Sequence, residues 1–413
     1  MKTYPFLFLL SAATLQSSLL AGDALWPGWL GPERNGRVEG FKPPAQWPAE
    51  LKPKWSVEVG SGYGSPVVVD GKAFVHSRQG DKEMVRALEI DSGKVLWTKA
   101  YPVPFKMGGG GERHGKSPKA NPSYSDGRLF TTSISGILTA WDAESGKLLW
   151  RKVPGMRFGQ SHAHWGASNS PLALGDMIVN LFGNEEAGAL MALDVATGER
   201  IWSMGNDGTC YSSPFLVEID GVRQIVAWNH RALVGVGPED GRLLWEYPFP
   251  HKTHNQNMPT PAFHQGKIIL GAENRGIHAI APVLRKGKWS VSKTWSQKEL
   301  ALDMASAIVA DGFLYGLSHY GQGRLFCLDP KNGEILWQGS PRTGPYATFL
   351  SFSGHVLTLS HQGRLLIFKA SPKGFQSVAS YALSDNSTWA APVLLKDGIL
   401  VKDAEALSLW TFR

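Results

Sequence analysis

The sequence predicts an all-β fold, an eight-bladed β-propeller of four-stranded antiparallel blades with tryptophan-docking motifs, its ring closed by the N- and C-terminal strands. A hairpin pattern ending in tryptophan recurs along the chain, a second turn pattern recurs upstream of it, and the spacing leaves room for four strands per copy. The chain has 413 residues, 43% of them hydrophobic and 19% charged, with 47 Gly and 26 Pro spread at intervals. That composition excludes disorder, coiled coil and collagen, and favours short elements joined by turns. The 16 Trp residues ask for a repeated packing role, because so large a ring is costly to place otherwise.

The hairpin first reads Ala87-Leu88-Glu89-Ile90-Asp91-Ser92-Gly93-Lys94-Val95-Leu96-Trp97. It returns from Ala140 to Trp150, from Ala192 to Trp202, from Gly241 to Trp245 and from Cys327 to Trp337. The Asp carboxylate accepts turn N–H groups, and Gly takes the positive φ that closes a tight turn. The upstream pattern is a small residue or Pro, a few apolar residues and a turn, as in Ser65-Pro66 to Asp70-Gly71. Its second turn residue falls at Gly71, Gly127, Asp176, Gly221, Gly266, Gly312, Gly354 and Gly398, in steps of 42 to 56 residues. Two hairpins per step make four strands, the content of one propeller blade.

Two hairpin copies are degenerate. The one starting at Ala279 runs to Trp289 or Trp295 without the Asp turn, and the one at Ile367 to Phe375 lacks the Trp; both blades should still form. The last blade is split: Ala406 to Leu409 is its third strand, and a strand near 52–58 completes it, hiding two sheet edges. Trp55, Trp97, Trp150, Trp202, Trp245 and Trp337 are expected to dock between blades. Each removes up to about 200 Å² from water, roughly 5 kcal/mol as an upper figure.

Residues 1–24 read as a signal peptide: Lys2, an apolar stretch from Tyr4 to Ala13, and small residues at Ala21, Gly22 and Ala24. The stretch is too short to span a bilayer, and no later segment reaches the needed length. A periplasmic or secreted protein is expected, with residues 25–413 as a single domain. Asp23 stands where a bacterial lipidated cysteine would, so no lipid anchor is expected. Cys210 and Cys327, far apart in sequence, read as buried thiols. The net charge of +7 is scattered, with no run that tracks phosphates, so no nucleic-acid partner is expected.

The Ala-x-Asp-x-x-(Thr/Ser)-Gly-x-x-x-Trp repeat resembles that of the pyrroloquinoline-quinone (PQQ) repeat β-propellers, which hold quinoprotein dehydrogenases and BamB-type outer-membrane assembly factors. The opening Trp26-Pro27-Gly28-Trp29-Leu30-Gly31-Pro32, with Gly115 to Pro122 and Tyr211-Ser212-Ser213-Pro214, is similar to exported single-domain, BamB-like members. The BamB branch implies a non-catalytic scaffold with an envelope protein partner. The quinoprotein branch implies PQQ and Ca²⁺ over the ring centre, with a catalytic Asp, a stacking Trp and often a vicinal disulfide. This chain has no adjacent cysteines and no Asp matching that motif. No cofactor or metal is predicted, and PQQ with calcium stands as the alternative.

Other chemistry is sparse. His162-Ala163-His164 could begin a metal site if it lies on a strand, with His114, His254, His319 and His361 on segments that could face the same end of the channel; the alternative is a polar loop. Gly108 to His114 lacks the Gly-Lys-Ser/Thr ending of a phosphate loop and reads as a flexible insertion. No Gly-x-Ser-x-Gly or His-Glu-x-x-His occurs. If there is a ligand site it belongs at the channel mouth, with Arg113, His114, His162, His164, His254, Asn257 and His319 as candidates. Trp26, Trp29, Trp165, Trp228 and Trp389 are surplus to docking, and carbohydrate binding is a further alternative if they are exposed. A monomer is expected.

Overall fold

In the computed structural model, which describes residues 26–108, 111, 115–251 and 256–412, the chain forms eight four-stranded antiparallel sheets. Blades 1 to 7 occupy residues 67–102, 123–152, 172–204, 215–248, 262–297, 308–338 and 347–382. Each runs a-b-c-d in chain order, from the axis outward. Blade 8 takes strands a to c from Val393–Leu395, Gly398–Lys402 and Ala406–Thr411 and strand d from Lys52–Glu58, with Trp55 opposite Leu409. The split blade expected from the two ends is therefore present. The predicted signal peptide lies outside the described residues.

Burial follows from position in the ring. Strands b and c read as near-continuous apolar runs, as in Met177–Gly183 and Gly188–Asp194, because neighbouring blades cover both faces. Strand d, on the rim, alternates. In Leu148–Lys152 only Trp150 is buried. The apolar clusters accordingly join adjacent blades, one uniting Phe130 and Trp150 of blade 2 with Ile178 and Met191 of blade 3.

The tryptophan hairpins share one geometry. In blades 1 to 7 the c–d pairing slips by one residue at the same place, and in six of them a small residue faces the Trp: Ala87 opposite Trp97, Ala140 opposite Trp150, Ala192 opposite Trp202, Gly235 opposite Trp245, Ala279 opposite Trp295 and Cys327 opposite Trp337. The indole leans onto the turn of the next blade. The Nε1 of Trp55 donates to Ile90 O at 2.8 Å, that of Trp97 to Ala143 O at 3.1 Å, and that of Trp150 to Val195 O at 2.9 Å. Trp202 and Trp337 do the same to Pro238 O and Ser371 O. In blade 5 it is Trp295, not Trp289, that does so, on Pro330 O.

Trp245 departs from this expectation. It lies in the apolar cluster shared by blades 4 and 5, but its Nε1 donates to Gln224 Oε1 of its own blade. The outer hairpin of blade 5 has a long arm, Ile277–Arg285 and Lys288–Gln297, in place of the Asp turn, so no turn carbonyl meets the indole. The two cysteines are free and buried.

Candidate functional site: a blind axial funnel

One position per blade faces the axis, two residues before strand a in blades 1 to 6 and 8 and at the equivalent place within strand a of blade 7. These positions hold Ser65, Asn121, Ser170, Ser213, Thr260, Ser306, Thr348 and Ala391, one per blade, and all line a single cavity of about 370 Å³. Their short polar side chains bond the blades to one another. Asn121 Oδ1 accepts from Ser65 N at 3.0 Å, Ser170 Oγ from Asn121 N at 3.0 Å, and Ser213 Oγ from Ser170 N at 2.9 Å. Thr260 and Ser306 extend the chain to blade 6. It stops at blade 7, where Thr348 Oγ1 has no partner among the described residues.

Two residues upstream, the equivalent positions form an upper tier that is aromatic or sulfur-bearing except at Lys119 and Ser168. Tyr346 and Trp389 stack with centroids 4.9 Å apart and planes at 29°. On the opposite side of the ring, Trp165 and Tyr211 stack at 5.8 Å and 26°. Met258 and Met304 fill the arc between.

The floor is the segment before blade 8's strand d. Trp26 pairs with Val68 of blade 1, Pro27 O accepts from Tyr124 N of blade 2, and Arg37 pairs with Ser351 of blade 7. The segment thus crosses the axis. Buried Arg34 donates to Pro171 O at 2.8 Å and Ser170 O at 2.7 Å in blade 3, and burial lowers its guanidinium to about 9. Trp29 and Leu30 line both this cavity and a second one of about 480 Å³ along strands a of blades 4 to 6, so they divide the channel. The funnel is blind.

Its electrostatics centre on Lys119. The ammonium donates to Trp165 O at 2.8 Å, and no carboxylate among the described residues pairs with it. Burial lowers it to about 8. Burial raises the Tyr63 phenol, and burial together with the Glu185 charge raises that of Tyr211.

Of the residues singled out from sequence, the described ones lie elsewhere. Arg113, His114 and His254 fall outside the described residues. None of His162, His164, Asn257 and His319 lines the funnel. His162 packs edge-on against Phe105, the peptide N–H of His164 donates to Glu185 Oε1, and His319 Nε2 meets Asn274 Oδ1 at 3.0 Å. Asn257 is fully buried and structural: its Nδ2 donates to Asn229 O and its Oδ1 accepts from Arg275. Of the surplus indoles, Trp26 and Trp228 are buried, whereas Trp29, Trp165 and Trp389 line the funnel. The two funnel tiers fall at and just before each repeat start, where small, aromatic and sulfur-bearing residues carry no motif of their own.

A family model described as outer membrane protein assembly factor BamB matches residues 81–339. The chain belongs to this family. It is 26% identical over 297 residues to the BamB of Moranella endobia, covering 70% of this chain and 74% of that protein. It is also 31% identical over 197 residues to a polyvinylalcohol dehydrogenase of Sphingopyxis sp., 43% of this chain but 28% of the enzyme. The quinohemoprotein alcohol dehydrogenase of Comamonas testosteroni superposes with a TM-score of 0.70 at 15% identity, covering 94% of this chain and 80% of that one, a likeness of fold. Relatives of this BamB-family chain thus include both assembly factors and dehydrogenases.

The described lining does not fit a calcium–quinone pair. Calcium takes six to eight oxygen ligands, several of them carboxylate. The acidic side chains lining the funnel are Glu273 and Asp303, and among the described residues no three His, Cys, Asp or Glu side chains come together. Cys210 and Cys327 are separate thiols, pushed by burial to about 12 and about 11, and form no redox pair.

Proposed function

We propose that this BamB-family propeller is a non-catalytic scaffold that binds a protein partner in the cell envelope. One observation carries the reading. At equivalent positions on the rim strands of four consecutive blades, aliphatic side chains stand 40–47% exposed: Val95 and Leu96, Leu148 and Leu149, Ile201, and Leu243. Rim strands also present unpaired backbone groups, and exposed apolar side chains in a contiguous band mark protein-binding surfaces. Among the described residues no helix is long and apolar enough to cross a membrane, in keeping with docking through a surface.

Photo-crosslinking tests it. A crosslinking residue at Leu149 or Leu243 should give a discrete adduct with an outer-membrane assembly protein in an envelope extract, and one at Lys369 of blade 7 should not. Equal or absent adducts at both places would remove the reading. The dehydrogenase alternative has its own arm: reconstitution with PQQ and Ca²⁺ should give neither a quinone spectrum nor dye reduction with alcohols.

A further inference from the structure

Besides the Thr348 hydroxyl of blade 7, the funnel has N–H donors on the blade 2–3 side for which no described residue supplies an acceptor. Lys119 uses one ammonium proton on Trp165 O. Asn121, 4% exposed, spends its Oδ1 on Ser65 N, and among the described residues neither its Nδ2 nor the buried Trp165 Nε1 has a partner. Buried donors are ordinarily satisfied, and two such groups beside an ammonium with protons to spare call for an acceptor that no described residue supplies. An anion meets that need best, since charge-assisted bonds are the strong ones. The wall also carries two stacked aromatic pairs, Trp165–Tyr211 and Tyr346–Trp389, on opposite sides of the axis, while its carboxylates, Glu273 and Asp303, belong to blades 5 and 6 and not to the side of Lys119. The floor is closed, and about 370 Å³ suits one small molecule.

We propose that the funnel binds a small aromatic monocarboxylate, its carboxylate held by Lys119, Asn121 Nδ2 and the Trp165 indole N–H, and its ring between the aromatic walls. The carboxylate takes the proton donors left over by the fold, and the ring displaces water from apolar surface. The site is independent of the rim surface.

Titration of the full chain with indole-3-acetate and 3-phenylpropionate, followed by calorimetry and tryptophan fluorescence, tests it. Both acids should bind with sub-millimolar Kd, and their primary amides at least tenfold more weakly. Lys119→Met should cost at least tenfold in Kd without lowering Tm, and Lys119→Arg should restore most of it. Affinity should fall as pH rises beyond the point where free Lys119 loses its proton, and that dependence should vanish in Lys119→Met. Should Lys119→Met fail to fold, the amide comparison and the pH profile on the unmodified chain still decide. Equal binding of acid and amide, or no binding by either acid, would overturn the proposal. So would tight binding of PQQ or glucuronate with none of the aromatic acids.

Discussion

Lys402 of blade 8 donates through its ammonium to Gly62 O, just ahead of blade 1, at 3.1 Å, a bond between residues 340 positions apart. The same ammonium reaches Gly60 O at 3.1 Å and Asp403 O at 2.9 Å, and the side chain is 1% exposed. Together with the pairing of Trp55 and Leu409, it closes the ring.

Lys402→Met leaves three carbonyls short of a donor and should destabilise by about 3 kcal/mol at pH 7 in urea unfolding. Burial lowers the folded ammonium to about 8 against an unfolded value of 10.5. Between those values the unfolded chain holds more protons, so this group makes stability rise with pH. From pH 8 to about 9.5 the gap between the two proteins should widen by up to about 1.4 kcal/mol per unit. A constant gap would refute the assignment.

Gly198 sits at φ 70 under the Trp150 indole, where a methyl would lie 2.8 Å from Cδ2. Gly198→Ala therefore meets backbone strain and ring overlap together, and should cost about 1–3 kcal/mol by thermal unfolding. Gly175→Ala, at φ 56 with open space around it, should cost less, because it meets the strain alone.

His76 and Glu83 form a fully buried pair, Nε2 to Oε2 at 2.9 Å, and Glu83 Oε1 also accepts from Ile134 N of blade 2 at 3.0 Å. Glu83→Ala leaves that N–H without an acceptor and His76 with only the Tyr101 hydroxyl, and should cost about 3–5 kcal/mol in urea unfolding. A loss below about 1 kcal/mol would show that the pair contributes little.

Arg34→Met removes the two bonds anchoring the floor segment to blade 3. Chymotrypsin should then cut around Trp29 and Leu30 at least tenfold faster while the far-ultraviolet spectrum of the propeller stays unchanged. An unchanged cleavage rate would mean that Trp26 and Val38 hold the segment alone.

Cys210 and Cys327 should resist a thiol reagent at pH 8 in the native protein and both react once it is unfolded, because burial keeps them protonated. Rapid native labelling of either would contradict their burial.

The sequence by itself determined the number of blades, the split closure and most of the indole positions. Each of these is a local pattern repeated in register: a small residue, an Asp turn, a Gly and a Trp at fixed offsets from Ala87 to Trp337. What the tertiary structure alone decided is the funnel. Lys119, Asn121, Trp165 and Trp389 belong to three blade entries, and nothing in any one of them marks it as part of a cavity. Only closure of the ring brings them around one axis, and only the crossing of the 26–38 segment gives that axis a floor. The histidines drew notice by residue type, yet the described ones turn to loop partners of their own, because a side chain's direction is set by its turn and by the neighbouring blade.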